Sequence, residues 1–164
     1  MPWPNFFIVG ATRSGTSSLY EYLNDTKGIF MSSIKEPAFF SVSITRRKPL
    51  QGENEYLKLF ETAKPDQPIG EASTRYLVDP QSPLLIKNKI PNAKIIILLR
   101  DPIERAFSSY LYYLRREKQE SFELIMRRSM NADLKGDYLL YLVVHGGMYY
   151  EPVKRYVDVF EIGR

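Results

Sequence analysis

The stretch that most constrains this chain is Phe6 to Leu23, FFIVGATRSGTSSLYEYL: an apolar run, a small-residue loop carrying one arginine, then the start of a helix. Phe6, Phe7, Ile8 and Val9, closed by Gly10, read as a short strand buried on both faces of a parallel sheet. A strand that feeds a Gly/Ser/Thr loop and then a helix aims unpaired N–H groups and the positive end of the helix dipole at one spot. Phosphate or sulfate fits there. Thr16 or Ser14 is the expected helix cap, with Leu19, Tyr20 and Leu23 turned inward.

The rest of the chain alternates strand and helix signals. Ile29 to Met31 is a weaker strand leading into SSIKEPAFFS, where Pro37 places Lys35 and Glu36 on a loop. Residues 42–54 read as a mobile surface loop, followed by a helix over 53–62. PIGEASTRYL carries a short strand and a turn near Gly70 and Glu71, and 82–90 a helix closed by Pro91. Lys94 to Arg100 is the strongest strand and is expected to be central. Asp101 caps and Pro102 starts a long helix, with Ile103, Ala106, Phe107, Tyr110, Leu111 and Leu114 as its inward stripe. Ser121 starts another helix, and Tyr149, Val153, Tyr156, Val157 and Phe160 give the last one an apolar face. The pattern predicts a single α/β domain over 1–164: three layers, a mainly parallel sheet flanked by helices, P-loop-like.

Composition narrows the function classes. A net charge of +4 suits an anionic ligand but is too small and scattered to argue for nucleic acid. With no cysteine there are no disulfides or thiolate metal sites, which fits a reducing compartment. No apolar run is long enough to span a bilayer and the N-terminus lacks a signal-peptide pattern, so a cytoplasmic location is expected.

Gly10-x-x-x-x-Gly15-Thr16-Ser17 has the glycine spacing of a nucleotide P-loop, but Thr16 stands where that motif demands lysine. The cation sits inside the loop instead, at Arg13. KIIILLRDPIERAFSSY ends a strand on Arg100 and offers Ser108 on the next helix. Ligands of open parallel sheets bind beyond the carboxyl ends of the strands, where both arginines fall. Two cationic sites at one sheet edge suit a ligand with two separated phosphate-type groups. The residues also allow plainer readings: Arg100 paired with Asp101 or Glu104, Ser108 as an ordinary exposed serine.

Taken together, GATRSGTSSLYEYL, IKEPAFFS, GEASTRYL and LLRDPIERAFSSYL resemble the sulfotransferases that use 3′-phosphoadenosine-5′-phosphosulfate, particularly the bacterial and glycan-modifying branch. The resemblance runs from about Phe6 to Phe160. It implies that Thr12, Arg13, Ser14, Gly15, Thr16, Ser17 and Ser18 form the 5′-phosphosulfate loop and that Arg100 with Ser108 binds the 3′-phosphate. It further implies Glu36 as general base, Arg13 as the cation at the leaving oxygen, and Lys35, Glu71 and Arg75 bordering the acceptor. The donor is then the co-substrate, without a metal, and the acceptor a hydroxyl group, carbohydrate among the candidates.

Three departures from the family pattern stand out. Arg13 occupies a position where many members carry lysine, and Ala38 one where related sequences often carry histidine. Family members usually continue past the position matching Arg164, so the chain is expected to be C-terminally incomplete, with a sheet edge open to self-association. Tyr76, Tyr110, Tyr112 and Tyr113 are candidates for a sugar-binding cleft or for packing, and Arg46, Arg47 and Lys48 for an acidic-glycan contact or a solvated loop. His145 reads as a structural histidine before a base. Two other classes remain open: a P-loop kinase, which would require Mg²⁺ and ATP, and a truncated non-catalytic module binding nucleotide or a partner.

Overall fold

The computed structural model describes residues 1–44, 50, 52–64, 66–115 and 120–160. Four strands form one parallel sheet: β1 (Phe6–Gly10), β2 (Phe30–Met31), β3 (Ile69–Ala72) and β4 (Lys94–Ile97), in the order β2-β3-β1-β4. The helices are α1 (Thr16–Asn24), α2 (Glu53–Leu57), α3 (Arg75–Val78), α4 (Ser82–Lys89), α5 (Pro102–Leu114), α6 (Phe122–Met130), α7 (Tyr138–Val144) and α8 (Tyr150–Val159), with 3-10 turns at Lys58–Phe60 and His145–Gly147.

Period-two alternation along β1 explains the layers. Phe7 and Val9 point into a core with Tyr56, Phe60, Tyr76, Ile86 and Tyr156, supplied by α2, the turn after it, α3, α4 and α8. Phe6 and Ile8 point the other way, onto Tyr20 of α1, Met31 and Ala72. The expected three-layer α/β arrangement is thus present. Phe6 pairs with Gly70 and Lys94, so β1, like β3, has neighbours on both sides in the sheet.

Four expectations are corrected. The 94–100 strand is not central: β4 is an edge of the sheet, with Ile95, Ile96 and Ile97 half-buried, because β1 and β3 take the inner positions. An apolar run measures burial between layers and says nothing about which strands pair on each side.

Helix α5 is rotated relative to the expected stripe. Arg105, Ala106, Ser109 and Tyr113 face inward, while Ile103 is 77% and Phe107 50% exposed. The interior contact is made by Arg105, whose guanidinium donates to Ser109 Oγ at 2.9 Å and to Val143 O at 2.6 Å. Two glycines make room for it, since a Cβ on Gly146 or Gly147 would lie 3.0 Å from the guanidinium.

Helix α1 is capped by neither Thr16 nor Ser14. Gly15, at φ 87°, holds the N-cap without a side-chain hydrogen bond, leaving the first-turn N–H groups open. Finally, 42–44 is no loose loop: Ile44 is buried against Val78, Tyr138 and Leu142, and Ser43 N donates to Asp79 Oδ2. Arg46, Arg47 and Lys48 lie outside the described residues. Helix α2 begins at Glu53, as expected, and the chain turns to 3-10 geometry from Lys58.

Candidate active site

The carboxyl ends of β1, β2 and β3 open on a cavity of about 380 Å³ lined by Thr12, Arg13, Thr16, Ser17, Lys35, Glu36, Thr74, Arg75, Tyr112, Tyr138, Leu139 and Leu142. Its floor is the loop after β1. Pairing continues past the strand through Ala11 N to Leu98 O at 2.7 Å, and the chain then turns through Arg13 (φ 68°) and Gly15 (φ 87°) into α1. The hydroxyl oxygens of Thr12 and Ser14 are buried there without hydrogen-bond partners. Unpartnered hydroxyls, open helical N–H groups and an exposed guanidinium are a donor set that suits a phosphate- or sulfate-type anion.

Arg13 is held from the side. Its Nε donates to Ser108 Oγ at 3.0 Å, and its guanidinium stands 5.3 Å from the centre of the Tyr112 ring, so α5 orients the cation from two successive turns. The two halves read separately in the sequence therefore touch. Arg100 stays outside the cavity: it forms an exposed ion pair with Glu104, 3.1 Å, while its carbonyl accepts from Tyr149 Oη.

Glu36 faces the loop from the other side. The segment after β2 is laid on the end of β3 by Glu36 N to Ala72 O, 2.9 Å. The Glu36 carboxylate then accepts from Thr74 N at 3.0 Å, from Thr74 Oγ1 at 2.8 Å and from Lys35 Nζ at 3.3 Å. Glu36 and Ala38 both have positive φ, 62° and 55°, a conformation that non-glycine residues adopt only where their surroundings enforce it. Arg75 lines the same cavity, with its guanidinium 5.5 Å from the centre of the Tyr138 ring.

Of the expected site residues, the structure brings Thr12, Arg13, Thr16, Ser17, Lys35, Glu36 and Arg75 to one cavity. Gly15 and Ser18 are exposed at the loop and first helical turn, and Ser108 reaches the site through Arg13. Glu71 does not border an accessible cleft. It is fully buried behind the site, its Oε2 accepting from Tyr56 Oη at 2.6 Å and Tyr76 Oη at 3.0 Å. Of the four tyrosines considered, Tyr112 lines the cavity, Tyr76 and Tyr113 are core, and Tyr110 packs on Phe107 and Phe122. His145 is stacked on Tyr141 away from this cavity.

Thr74 and the α7 wall of Tyr138, Leu139 and Leu142 were not expected. The signal for α7 is Asp137, whose carboxylate accepts from Leu140 N as a cap ahead of YLLYLVV. Burial pushes the pKa of the Tyr138 phenol above its ordinary range, so it faces the cavity as a neutral hydroxyl.

Comparison with known proteins agrees with this geometry. The family model described as "Sulfotransferase domain" matches residues 4–162. The chain is 36% identical over 126 residues to the membrane-associated sulfotransferase kil1 of Dictyostelium discoideum, covering 73% of this chain and 26% of that protein. It is 31% identical over 160 residues to mouse carbohydrate sulfotransferase 15, covering 70% of this chain and 28% of the relative. The chain thus spans little more than a quarter of these relatives. A crystal structure of a sulfotransferase from Alicyclobacillus acidocaldarius superposes with a TM-score of 0.89 at 35% identity, over 98% of this chain and 70% of that one. Among the described residues no helix is long and apolar enough to cross a membrane. With the family model covering nearly the whole sequence and the solved relative sharing its fold, this chain belongs to the sulfotransferase domain family.

Proposed function

We propose that the chain moves a sulfuryl group from 3′-phosphoadenosine-5′-phosphosulfate to a hydroxyl of an acceptor, with carbohydrates as the first acceptor class. The observation that carries this is one cavity holding an anion loop with Arg13 on one side and Glu36 on the other. The donor supplies an activated sulfate ester whose leaving group is a phosphate oxygen. Arg13, with the loop hydroxyls and the open N–H groups of α1, neutralises the charge that gathers on that oxygen; fixed donors of this kind act in the transition state without reorganising. Arginine keeps its proton at any working pH, so the role is electrostatic.

Glu36 takes the acceptor hydroxyl proton. Its three donors in the structure hold the carboxylate oriented, and it remains partly exposed to the cavity, 27%. Lys35 and Arg75 flank the acceptor side, and Tyr112, Tyr138, Leu139 and Leu142 provide an apolar wall of the kind that stacks on a sugar face. The names of the relatives, carbohydrate sulfotransferase and heparan sulfate glucosamine 3-O-sulfotransferase, support a glycan acceptor.

Arg100 serves the 3′-phosphate in this reading. Its ion pair with Glu104 is exposed on both partners, and such pairs contribute about 0–1 kcal/mol, little resistance to exchange for a phosphate. Ser108, which already accepts from Arg13, joins Arg100 at the 3′-phosphate in the same reading.

The test is transfer of radiolabelled sulfate to a panel of oligosaccharides by wild type and Glu36→Gln, with binding of 3′,5′-adenosine bisphosphate measured alongside. Loss of transfer with nucleotide affinity within about twofold of wild type is expected. Undiminished transfer by Glu36→Gln would remove it as the base.

A further inference from the structure

Glu71 is a fully buried carboxylate that the proposed chemistry leaves unused. Its surroundings connect it to the strained segment that presents Glu36. Phe40 N donates to Tyr76 Oη at 3.2 Å, and Tyr76 Oη donates onward to Glu71 Oε2 at 3.0 Å. Tyr56 Oη donates to the same oxygen at 2.6 Å. In parallel, Ala38 N donates to Ser73 Oγ at 2.9 Å, two residues along from Glu71. The segment 36–40 carries two non-glycine residues at positive φ, and these two hydrogen bonds pin the residues that follow Glu36.

We propose that Glu71 is a positioning residue for transfer: as the shared acceptor behind Tyr56 and Tyr76, it locks the 36–40 segment and so holds the Glu36 carboxylate in line with the acceptor hydroxyl. This rests on the reading of Glu36 as base. A carboxylate inserted into an apolar core solely for packing would be poorly placed, because burying a charge without a cation is costly. Among the described residues the ionisable groups that act on it are Tyr56 on α2, Tyr76 on α3, Tyr156 on α8 and Glu36, with no cation among those four.

Burial, as the largest cause, raises Glu71 to about 7; the hydroxyls of Ser73, Tyr56 and Tyr76 oppose that rise and the charge of Glu36 adds to it. When Glu71 is ionised, the Tyr76 proton is committed to Oε2 and the phenol oxygen is free to accept from Phe40 N. When Glu71 is protonated, its own O–H competes as a donor and the charge-assisted bonds are lost.

The experiment compares wild type, Glu71→Gln and Tyr76→Phe for kcat and KM across pH 5.5 to 8.5, together with amide exchange at Ala38 and Phe40. Glu71→Gln keeps the shape and removes the charge. Expected are a kcat lowered about ten- to a hundredfold, as small misplacements of reacting groups produce, a donor KM near wild type, and faster exchange at Phe40. The wild-type kcat should rise through an ionisation near pH 7 that is absent from Glu71→Gln.

An unchanged kcat and pH profile in Glu71→Gln, or unchanged exchange at Phe40, would overturn the proposal. If Glu71→Gln does not fold, Tyr76→Phe, which keeps the carboxylate and the ring, decides by the same kcat and exchange readouts. Transfer retained by Glu36→Gln strikes the underlying base assignment instead, and the exchange result, which needs no turnover, separates the two failures.

Discussion

Arg13 is where charge, geometry and chemistry meet at the scale of a single residue. It is exposed to the cavity, yet Ser108 and the Tyr112 ring fix its direction. Removing one fixed donor at a developing charge typically costs about 3 kcal/mol of barrier, so Arg13→Ala should lower kcat at least about a hundredfold in the transfer assay. Ser108→Ala, which frees the guanidinium but leaves it present, should cost less than Arg13→Ala.

Glu71 also makes stability depend on pH. Its folded-state value of about 7 lies above the ordinary 4.5, so the folded protein binds this proton more tightly than the unfolded chain. The contribution is complete below 4.5 and is lost as pH rises through 7, amounting to about 3 kcal/mol over that window. Thermal melts of wild type and Glu71→Gln at pH 5 and pH 8 should show the wild type losing more stability on the way up. The family resemblance of GEASTRYL puts Glu71 beside Arg75 at the acceptor cleft, but Glu71 lies within β3, and only Thr74 and Arg75 beyond it line the cavity. Which way a side chain points at a strand end depends on register against β1, and that is set by long-range pairing.

Among the elements, α5 departs most from its pattern. The i, i+3, i+4, i+7 apolar stripe would bury Ile103, Phe107 and Leu111, yet the helix turns Arg105 and Ser109 inward against α7 and the His145–Gly147 turn. The rotation is what brings Ser108 and Tyr112 to Arg13. Arg105→Ala should therefore destabilise by about 2–4 kcal/mol, as loss of a buried, hydrogen-bonded long side chain does, while Ile103→Lys should stay within about 0.5 kcal/mol; urea denaturation measures both.

The β1–loop–α1 unit was legible because its signal is local: an apolar tetrad, two glycines and a small-residue loop within eighteen residues. The same holds for Asp101, which caps α5 through Ile103 N and Glu104 N. The rotation of α5 and the placement of α7 were not legible, since both follow from one buried arginine finding a carbonyl 38 residues away.

At the scale of the whole molecule, the parallel sheet works as a bench: the segments leaving the carboxyl ends of β1, β2 and β3 carry the cavity groups, and α5 and α7 contribute the rest. Its middle is tightly packed: a Cβ on Gly70 would lie 2.1 Å from Phe6 Cζ and 2.6 Å from Met31 Sδ. Gly70→Ala should cost roughly 1–3 kcal/mol by overpacking, read from the same denaturation curves, and should lower transfer only in proportion to the folded fraction.

The outer side of β4 and the exposed Leu99, Ile103, Phe107 and Leu111 leave apolar surface and an unpaired strand edge among the described residues. Edges and patches of this kind promote association. Sedimentation velocity over rising concentration should show self-association that Ile103→Lys with Phe107→Glu weakens. The central position of β1, and hence the edge position of β4, needed the three-dimensional pairing to be seen.

The claim on which the rest depends is that the loop of β1 and α1 receives the phosphosulfate end of a 3′-phosphorylated adenine nucleotide. Calorimetric titration of the purified protein with 3′,5′-adenosine bisphosphate, with and without Mg²⁺, tests it most directly. The reading predicts metal-independent binding that weakens in both Arg13→Ala and Arg100→Ala. Absence of binding, or binding of ATP alone and only with Mg²⁺, would contradict it.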